Sequence, residues 1–76
     1  MKLERVGASM TVLAFSDGLR VLVSYETPVA AQVPGIGFVK TGRFVSRVSQ
    51  DHIRKWINGN PAATWEHERL VALLEE

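Results

Sequence analysis

Hydrophobic and polar positions in the first third of the chain form two runs of residues that favour β-strands. The segments MTVLAF and LRVLVSYE flank Asp17-Gly18, a pair that tolerates the positive φ of a tight hairpin turn. They predict antiparallel strands at 9–15 and 19–26. Period-two alternation in the second run turns Leu22 outward and points the other set toward the core: Leu19, Val21, Val23 and Tyr25.

The middle of the chain predicts further strands joined by a proline-glycine turn. Pro28 lacks a backbone donor, so PVAAQV is predicted as a third strand at a sheet edge or from its first residue onward. In VPGIG, Pro34 fixes φ and Gly35 supplies the positive φ of a type II turn. The following run, GFVKTGRFVSRV, is strand-like but broken by Gly42, which indicates a bend or a bulge.

Two helices are predicted in the last part of the chain. Ser49 has the chemistry of an N-cap, and the helix over 49–57 ends at Gly59, with Gln50, Arg54 and Lys55 outward. Asn60-Pro61 is a valid cap for a second helix, yet AATW also fits a brief edge strand followed by a helix from Glu66 to about residue 74. We prefer the edge strand.

Together these elements predict one α+β domain over residues 1–76. It consists of an antiparallel sheet of four to five strands packed with one short helix and a C-terminal helix, both on one sheet face. The predicted core residues are Val12, Leu13, Val21, Val23, Tyr25, Val29, Phe38, Phe44, Ile53, Trp56, Leu70 and Leu73.

Length and composition indicate the cellular compartment and the oligomeric state of this domain. The chain has 76 residues, 46% of them hydrophobic, and no cysteine. A domain so small has a marginal core, and one without disulfides is typical of a reducing cytoplasm, stabilised by packing or self-association. We therefore expect a cytoplasmic protein and a homodimer. Neither a signal-peptide pattern nor a membrane-spanning run is recognisable.

The charges are unevenly distributed along the chain. Residues 27–65 carry five basic and one acidic residue, whereas residues 66–76 carry one basic and four acidic residues. The basic stretch is interleaved with Phe44 and Trp56, which favours contact with phosphates and bases or with a protein partner. The net charge of +1 argues against a protein that merely coats nucleic acid. We predict partner-binding residues at Lys40, Arg43, Arg47, His52, Arg54 and Lys55.

No residue pattern indicates an enzyme, a metal or a cofactor. His52 and His67 lie on different predicted elements without cysteine or carboxylate at ligand spacing, so no zinc site is expected. The serines lack a Gly-x-Ser-x-Gly context. The turn at Pro34 is followed by a strand-like run and not by a helix, which favours a structural turn over a phosphate-binding glycine loop.

Val23 to Ile57 carry a combination of motifs: SYETPVAA, a Pro-Gly-x-Gly turn followed by an aromatic residue, and HIRKWI. In these features the chain resembles a group of short, largely uncharacterised proteins encoded by phages, plasmids and integrated elements. It departs from that pattern at Gln32, at Ile36 and at VSQD over 48–51. The resemblance implies a small accessory protein of a mobile element that works in a bacterial cytoplasm.

Two classes of function fit these observations. In the first, the protein is a non-enzymatic binder of a host or element protein, for example an inhibitor of a defence system such as a CRISPR effector. In the alternative, the basic stretch over residues 40–56 binds DNA or RNA directly. A nucleic-acid complex weakens steeply with salt, whereas a packed protein interface does not.

Overall fold

A computed structural model describes residues 2–7, 10–25, 27–43 and 45–74 of the chain. Its elements, in chain order, are β1 (Lys2–Gly7), β2 (Met10–Ala14), β3 (Arg20–Ser24), β4 (Thr27–Val33), β5 (Gly37–Thr41), α1 (Arg47–Ile57), β6 (Ala62–Trp65) and α2 (His67–Ala72). The α+β class is therefore confirmed.

The strands form one six-stranded sheet in the order in which they occur along the chain. Neighbours from β1 to β5 pair antiparallel, whereas β6 returns through α1 to lie parallel to β5. The sheet has one more strand than the four to five predicted, because Lys2–Gly7 pairs with β2. It is also mixed, because a strand that follows a helical crossover on the same sheet runs parallel to the strand before it.

Both predicted turns are confirmed. Gly18 has a φ of 95°, and its N–H donates to the carbonyl of Phe15 at the hairpin between β2 and β3. Gly35 has a φ of 80°, and the N–H of Ile36 donates to the carbonyl of Val33 over 3.0 Å. This geometry is that of a type II turn joining β4 to β5.

The first helix begins earlier than predicted. Ser46 is the N-cap, and its side chain accepts a hydrogen bond from the backbone N–H of Ser49. Ser49 is therefore not the cap but a buried residue of the first turns. At the other end the C-cap is Asn58, which adopts a left-handed conformation and donates its N–H to the Arg54 carbonyl. Gly59, the predicted end of the helix, follows directly.

The preferred interpretation of the C-terminal part is confirmed. Ala62–Trp65 is an edge strand, and α2 follows with Glu66 at its N-cap position. The break at Gly42 is explained by close approach to β6: its N–H donates to the Trp65 carbonyl over 2.8 Å. A Cβ atom at this glycine would lie 3.0 Å from the methyl group of Thr64, which favours a residue without a side chain.

The two helices cover opposite faces of the sheet, so the prediction that both lie on one face is wrong. Two separate clusters of buried residues show this. The α1-side cluster contains Val12, Leu22, Val29, Ala30, Ile53 and Ile57. The α2-side cluster contains Leu19, Val21, Ala31, Val39 and Leu70. Alternate residues of the central strands therefore belong to different cores. The sheet is the middle layer of three, with α1 on one side and α2 on the other.

Strand β4 lies inside the sheet, between β3 and β5, and not at an edge. Pro28 is tolerated there because the register shifts next to it. Leu22 pairs with Ala30 while Val23 pairs with Pro28, which leaves Val29 as the extra residue of a bulge.

The core differs from the predicted core mainly in the run over residues 19–26, which contains β3. Leu22, predicted to face outward, is fully buried against α1, whereas Tyr25, predicted in the core, is exposed. Most other predicted core positions are buried or partly buried: Val12, Leu13, Val21, Val23, Val29, Phe38, Ile53, Trp56, Leu70 and Leu73. Phe44 lies outside the described residues.

Truncation of Leu22 tests the layer beneath α1. Leu22→Ala should lower the free energy of unfolding by about 3 kcal/mol, because it opens a cavity in a closed core. Ile36→Ala removes an exposed side chain of the same size and should change stability by less than about 0.5 kcal/mol. Urea denaturation of both variants measures the difference, and equal midpoints would contradict the burial of Leu22.

Substitution of Gly35 tests the type II turn. Space around the residue is open, with no atom within 4 Å of an added Cβ, so the cost comes from the positive φ alone. Gly35→Val should destabilise the fold by roughly 1–2 kcal/mol and Gly35→Asn by less, because asparagine tolerates the left-handed region. Thermal unfolding measures both variants. Equal melting midpoints for Gly35→Val and Gly35→Asn would refute the type II turn.

Candidate binding surface

A chain of hydroxyl and imidazole groups joins β3 to the beginning of α1. The Oγ atom of Ser24 lies 2.8 Å from Ser49 Oγ and 2.9 Å from His52 Nδ1. Ser46 Oγ in turn donates to Ser49 Oγ over 3.2 Å. Because Ser24 and Ser49 are buried, these bonds fix the helix against the strand.

Tyr25 follows this network directly and projects from the surface. Its side chain is 55% exposed, and its ring stacks on that of His52 with centroids 6.1 Å apart and 24° between the planes. Its φ of 49° lies in the left-handed region, which is unfavourable for a bulky residue. The fold therefore holds an exposed aromatic ring in a conformation that costs free energy.

Two features extend the surface around Tyr25. Val48, 47% exposed, lies one helical turn before His52 on α1 and so shares a side of the helix with it. Beside the ring lies a pocket of about 470 Å³, lined by Ser24, Tyr25, Thr27, Val29, Arg43, Val45, Ser46, Ser49 and His67. Tyr25, Val48, His52 and this pocket are called the Tyr25 surface below.

The lining of the pocket combines apolar groups with fixed polar groups. Val29 and Val45 form its apolar lining, and Thr27 and Ser46 carry the hydroxyl groups of the lining that are not buried. On its α2 side the guanidinium of Arg43 donates to the carboxylate of Glu68 over 3.2 Å, and His67 Nδ1 lies 3.3 Å from Thr41 Oγ1. Such a pocket suits an amphipathic side chain of a partner.

A second groove lies between α1 and the strands β5 and β6. It has a volume of about 310 Å³ and is lined by Lys40, Gln50, Ile53, Arg54, Ile57, Gly59, Asn60 and Ala62. Lys40 and Arg54, which are distant in sequence, both line it. We call it the Lys40–Arg54 groove.

The structure divides the six predicted partner-binding residues among different places. Lys40 and Arg54 line one groove, Arg43 lines the pocket beside Tyr25, and His52 stacks on Tyr25. Arg47 and Lys55 are exposed on α1 and line neither. The predicted residues therefore do not all line the same pocket, because the strand and the helix turn their residues in different directions.

Trp56 is partly buried and already makes an aromatic contact within the fold. Its ring packs edge to face against Phe38, with centroids 5.4 Å apart, and belongs to the layer beneath α1. Sequence reasoning missed Tyr25 as a surface residue and Ser24 as the centre of the network. Alternation along the strand indicated the opposite for Tyr25, and residue preferences give no signal for a left-handed tyrosine.

The centre of the hydroxyl network lacks the access that covalent chemistry needs. Ser24 is 1% exposed, so its hydroxyl group cannot meet a substrate in this conformation. Across the described residues, no three His, Asp or Glu side chains come together as metal ligands. The helices within the same residues are too short and too polar to cross a membrane.

Comparison with known proteins gives one match. Residues 1–71 match the model of a family described as a family of unknown function, DUF8033. No curated protein and no solved structure matches the chain.

Removal of the Ser24 hydroxyl tests the network under Tyr25. Ser24→Ala takes one partner from both Ser49 and His52, and we expect a loss of about 1–3 kcal/mol in unfolding free energy. Ser16→Ala, at an exposed turn position, is the matched control and should stay within about 0.5 kcal/mol of the parent. Urea denaturation compares them, and a fully stable Ser24→Ala would show that the network contributes nothing.

Proposed function

We propose that this chain, which belongs to the family of unknown function DUF8033, is a non-enzymatic protein that binds another protein through the Tyr25 surface. The observation that carries the proposal is the exposed ring of Tyr25, held at positive φ and stacked on His52.

An exposed aromatic ring beside a pocket has the properties of a binding hot spot. Tyrosine and arginine are enriched among residues that dominate binding energy, and such residues act by filling pockets at the centre of an interface. The stack on His52 limits the rotation of the Tyr25 ring, which lowers the entropy lost on binding. A strained residue at an exposed position is itself a reason to look for function.

The setting of the proposed activity comes from the sequence motifs. The resemblance of Val23–Ile57 to short phage, plasmid and integrated-element proteins supports an accessory protein of a mobile element acting in the host cytoplasm. Its partner would then be a host or element protein. An inhibitor of a defence system such as a CRISPR effector is the specific form of this proposal.

Direct binding of DNA or RNA is the second candidate, and the Lys40–Arg54 groove favours it. Two cations and the amide groups of Gln50 and Asn60 line this groove, and these groups bind phosphates and base edges. Asp51, 3.5 Å from Arg54, lowers the positive potential there. We therefore rank this function second.

Substitution of Tyr25 by glycine separates binding from stability. Glycine adopts positive φ freely, so Tyr25→Gly should leave the melting midpoint unchanged or raise it. The same change removes the ring, and capture of a protein partner from nuclease-treated host lysate should fall at least tenfold. Capture at the parent level by Tyr25→Gly would exclude Tyr25 from the interface.

The double substitution Lys40→Glu with Arg54→Glu tests the second candidate with the same assay. It should leave protein capture unchanged, because both residues line the other groove. A parent protein that captures no protein but shifts bare DNA or RNA would favour the second candidate. That shift should be lost in the double variant and should weaken steeply between about 50 and 200 mM salt.

A further inference from the structure

Strand β1 ends the sheet on one side and carries an exposed leucine. Among the residues that the structure describes, it pairs with β2 alone and is the first strand in the sheet order. Leu3, the second residue of the strand, is 68% exposed. An edge strand with a free row of backbone groups and an exposed apolar residue is a template for pairing with another strand.

Leu3 is the end of an apolar row that crosses the sheet. Leu3 pairs with Leu13, Leu13 with Val21, Val21 with Ala31, and Ala31 with Val39. Directly paired residues share a face, so this whole row lies on the α2 side. Helix α2 packs mainly against β4 and β5, and the row becomes more exposed from Val21 through Leu13 to Leu3.

Symmetry restricts how a second copy can extend this sheet. A two-fold axis perpendicular to the sheet keeps the α2 sides of both copies on the same face. Such an axis lies midway between one residue of β1 and the same residue of the second copy, so that this residue is paired with itself. An axis at Lys2, Glu4 or Arg5 places like charges opposite each other, which is unfavourable. An axis at Val6 falls on the register shift between Arg5 and Gly7.

An axis at Leu3 has none of these faults. It sets Leu3 against Leu3 of the second copy and continues the apolar row of one sheet into that of the other. It also places Lys2 opposite Glu4 of the second copy, and Glu4 opposite Lys2, which are two attractive cross-strand pairs. Residues 2–4 of β1 are therefore self-complementary in this register.

We propose that the chain forms a two-fold symmetric homodimer in which β1 pairs antiparallel with β1 of a second copy, centred on Leu3. This inference goes beyond the proposed function and does not depend on it. Because β2 separates β1 from β3, the dimer leaves both Tyr25 surfaces accessible and presents two binding sites to a partner.

Sedimentation velocity over a concentration series reaching millimolar tests the dimer. The parent should approach twice its monomer mass of 8.4 kDa. Leu3→Lys should remain a monomer at every concentration, while its melting curve shows it folded. Ile36→Lys places the same charge at Ile36, an apolar residue of the β4–β5 turn that is 58% exposed, and should dimerise as the parent does. A monomeric parent, or a dimer that persists in Leu3→Lys, overturns the proposal.

A charge exchange tests the register itself. Lys2→Glu and Glu4→Lys each set like charges opposite each other twice, so each should weaken dimerisation by about tenfold or more. The double variant, Lys2→Glu with Glu4→Lys, restores opposite charges and should dimerise with nearly the parent affinity. Recovery in the double variant supports the axis at Leu3. Additive weakening, or single variants equal to the parent, would refute it.

Discussion

The structure depends on the burial of β4 between two helices. Ala30 and Ala31 are adjacent in sequence, are both fully buried, and belong to different cores, one beneath α1 and one beneath α2. Small side chains at this point let a helix approach each face of the same strand. A single sheet can therefore supply two apolar layers to a chain of 76 residues, whose core would otherwise be marginal.

The proposed binding surface follows from that arrangement. Ile53 and Ile57 hold α1 against its layer, and this position brings Ser49 and His52 within hydrogen-bonding distance of Ser24. Ser24 is the last residue of β3, and Tyr25 follows it in the turn to β4. The side chain of Ser24 is hydrogen-bonded to α1, so the helix contacts the chain directly before Tyr25. The exposed ring is thus linked to the core through His52 and Ser24.

Local chemistry predicted a large part of this fold. Proline, glycine and aspartate at the two hairpins have conformational preferences that few other residues share, and the turns formed as the sequence indicated. The start of α1 was misplaced because Ser46 and Ser49 have the same capping chemistry, and only burial of Ser49 distinguishes them. The opposite faces of the helices could not be predicted, because Val21 and Leu22 are equally apolar and alternation does not reveal a sheet covered on both sides.

The site was less predictable than the fold. Basic residues between Lys40 and Lys55 are close in sequence. They lie on a strand, in the connection that follows it and on a helix, so the direction of each side chain depends on how these elements pack. Tyr25 was misplaced because alternation continued the strand through it, whereas it lies in the turn between Ser24 and Thr27, the last pair of β3 and β4. Edge pairing of β1 likewise depends on which strand ends the sheet, which is a property of the topology.

Methyl contacts measured by nuclear Overhauser spectroscopy would test the three-layer arrangement most directly. Ile53 should show contacts with Leu22 and Val12, and Leu70 should show contacts with Val21 and Val39, because these residues form the two separate cores. No contact should join Ile53 to Leu70, since the sheet lies between them. A strong contact between Ile53 and Leu70 would place both helices on one face and would contradict the account.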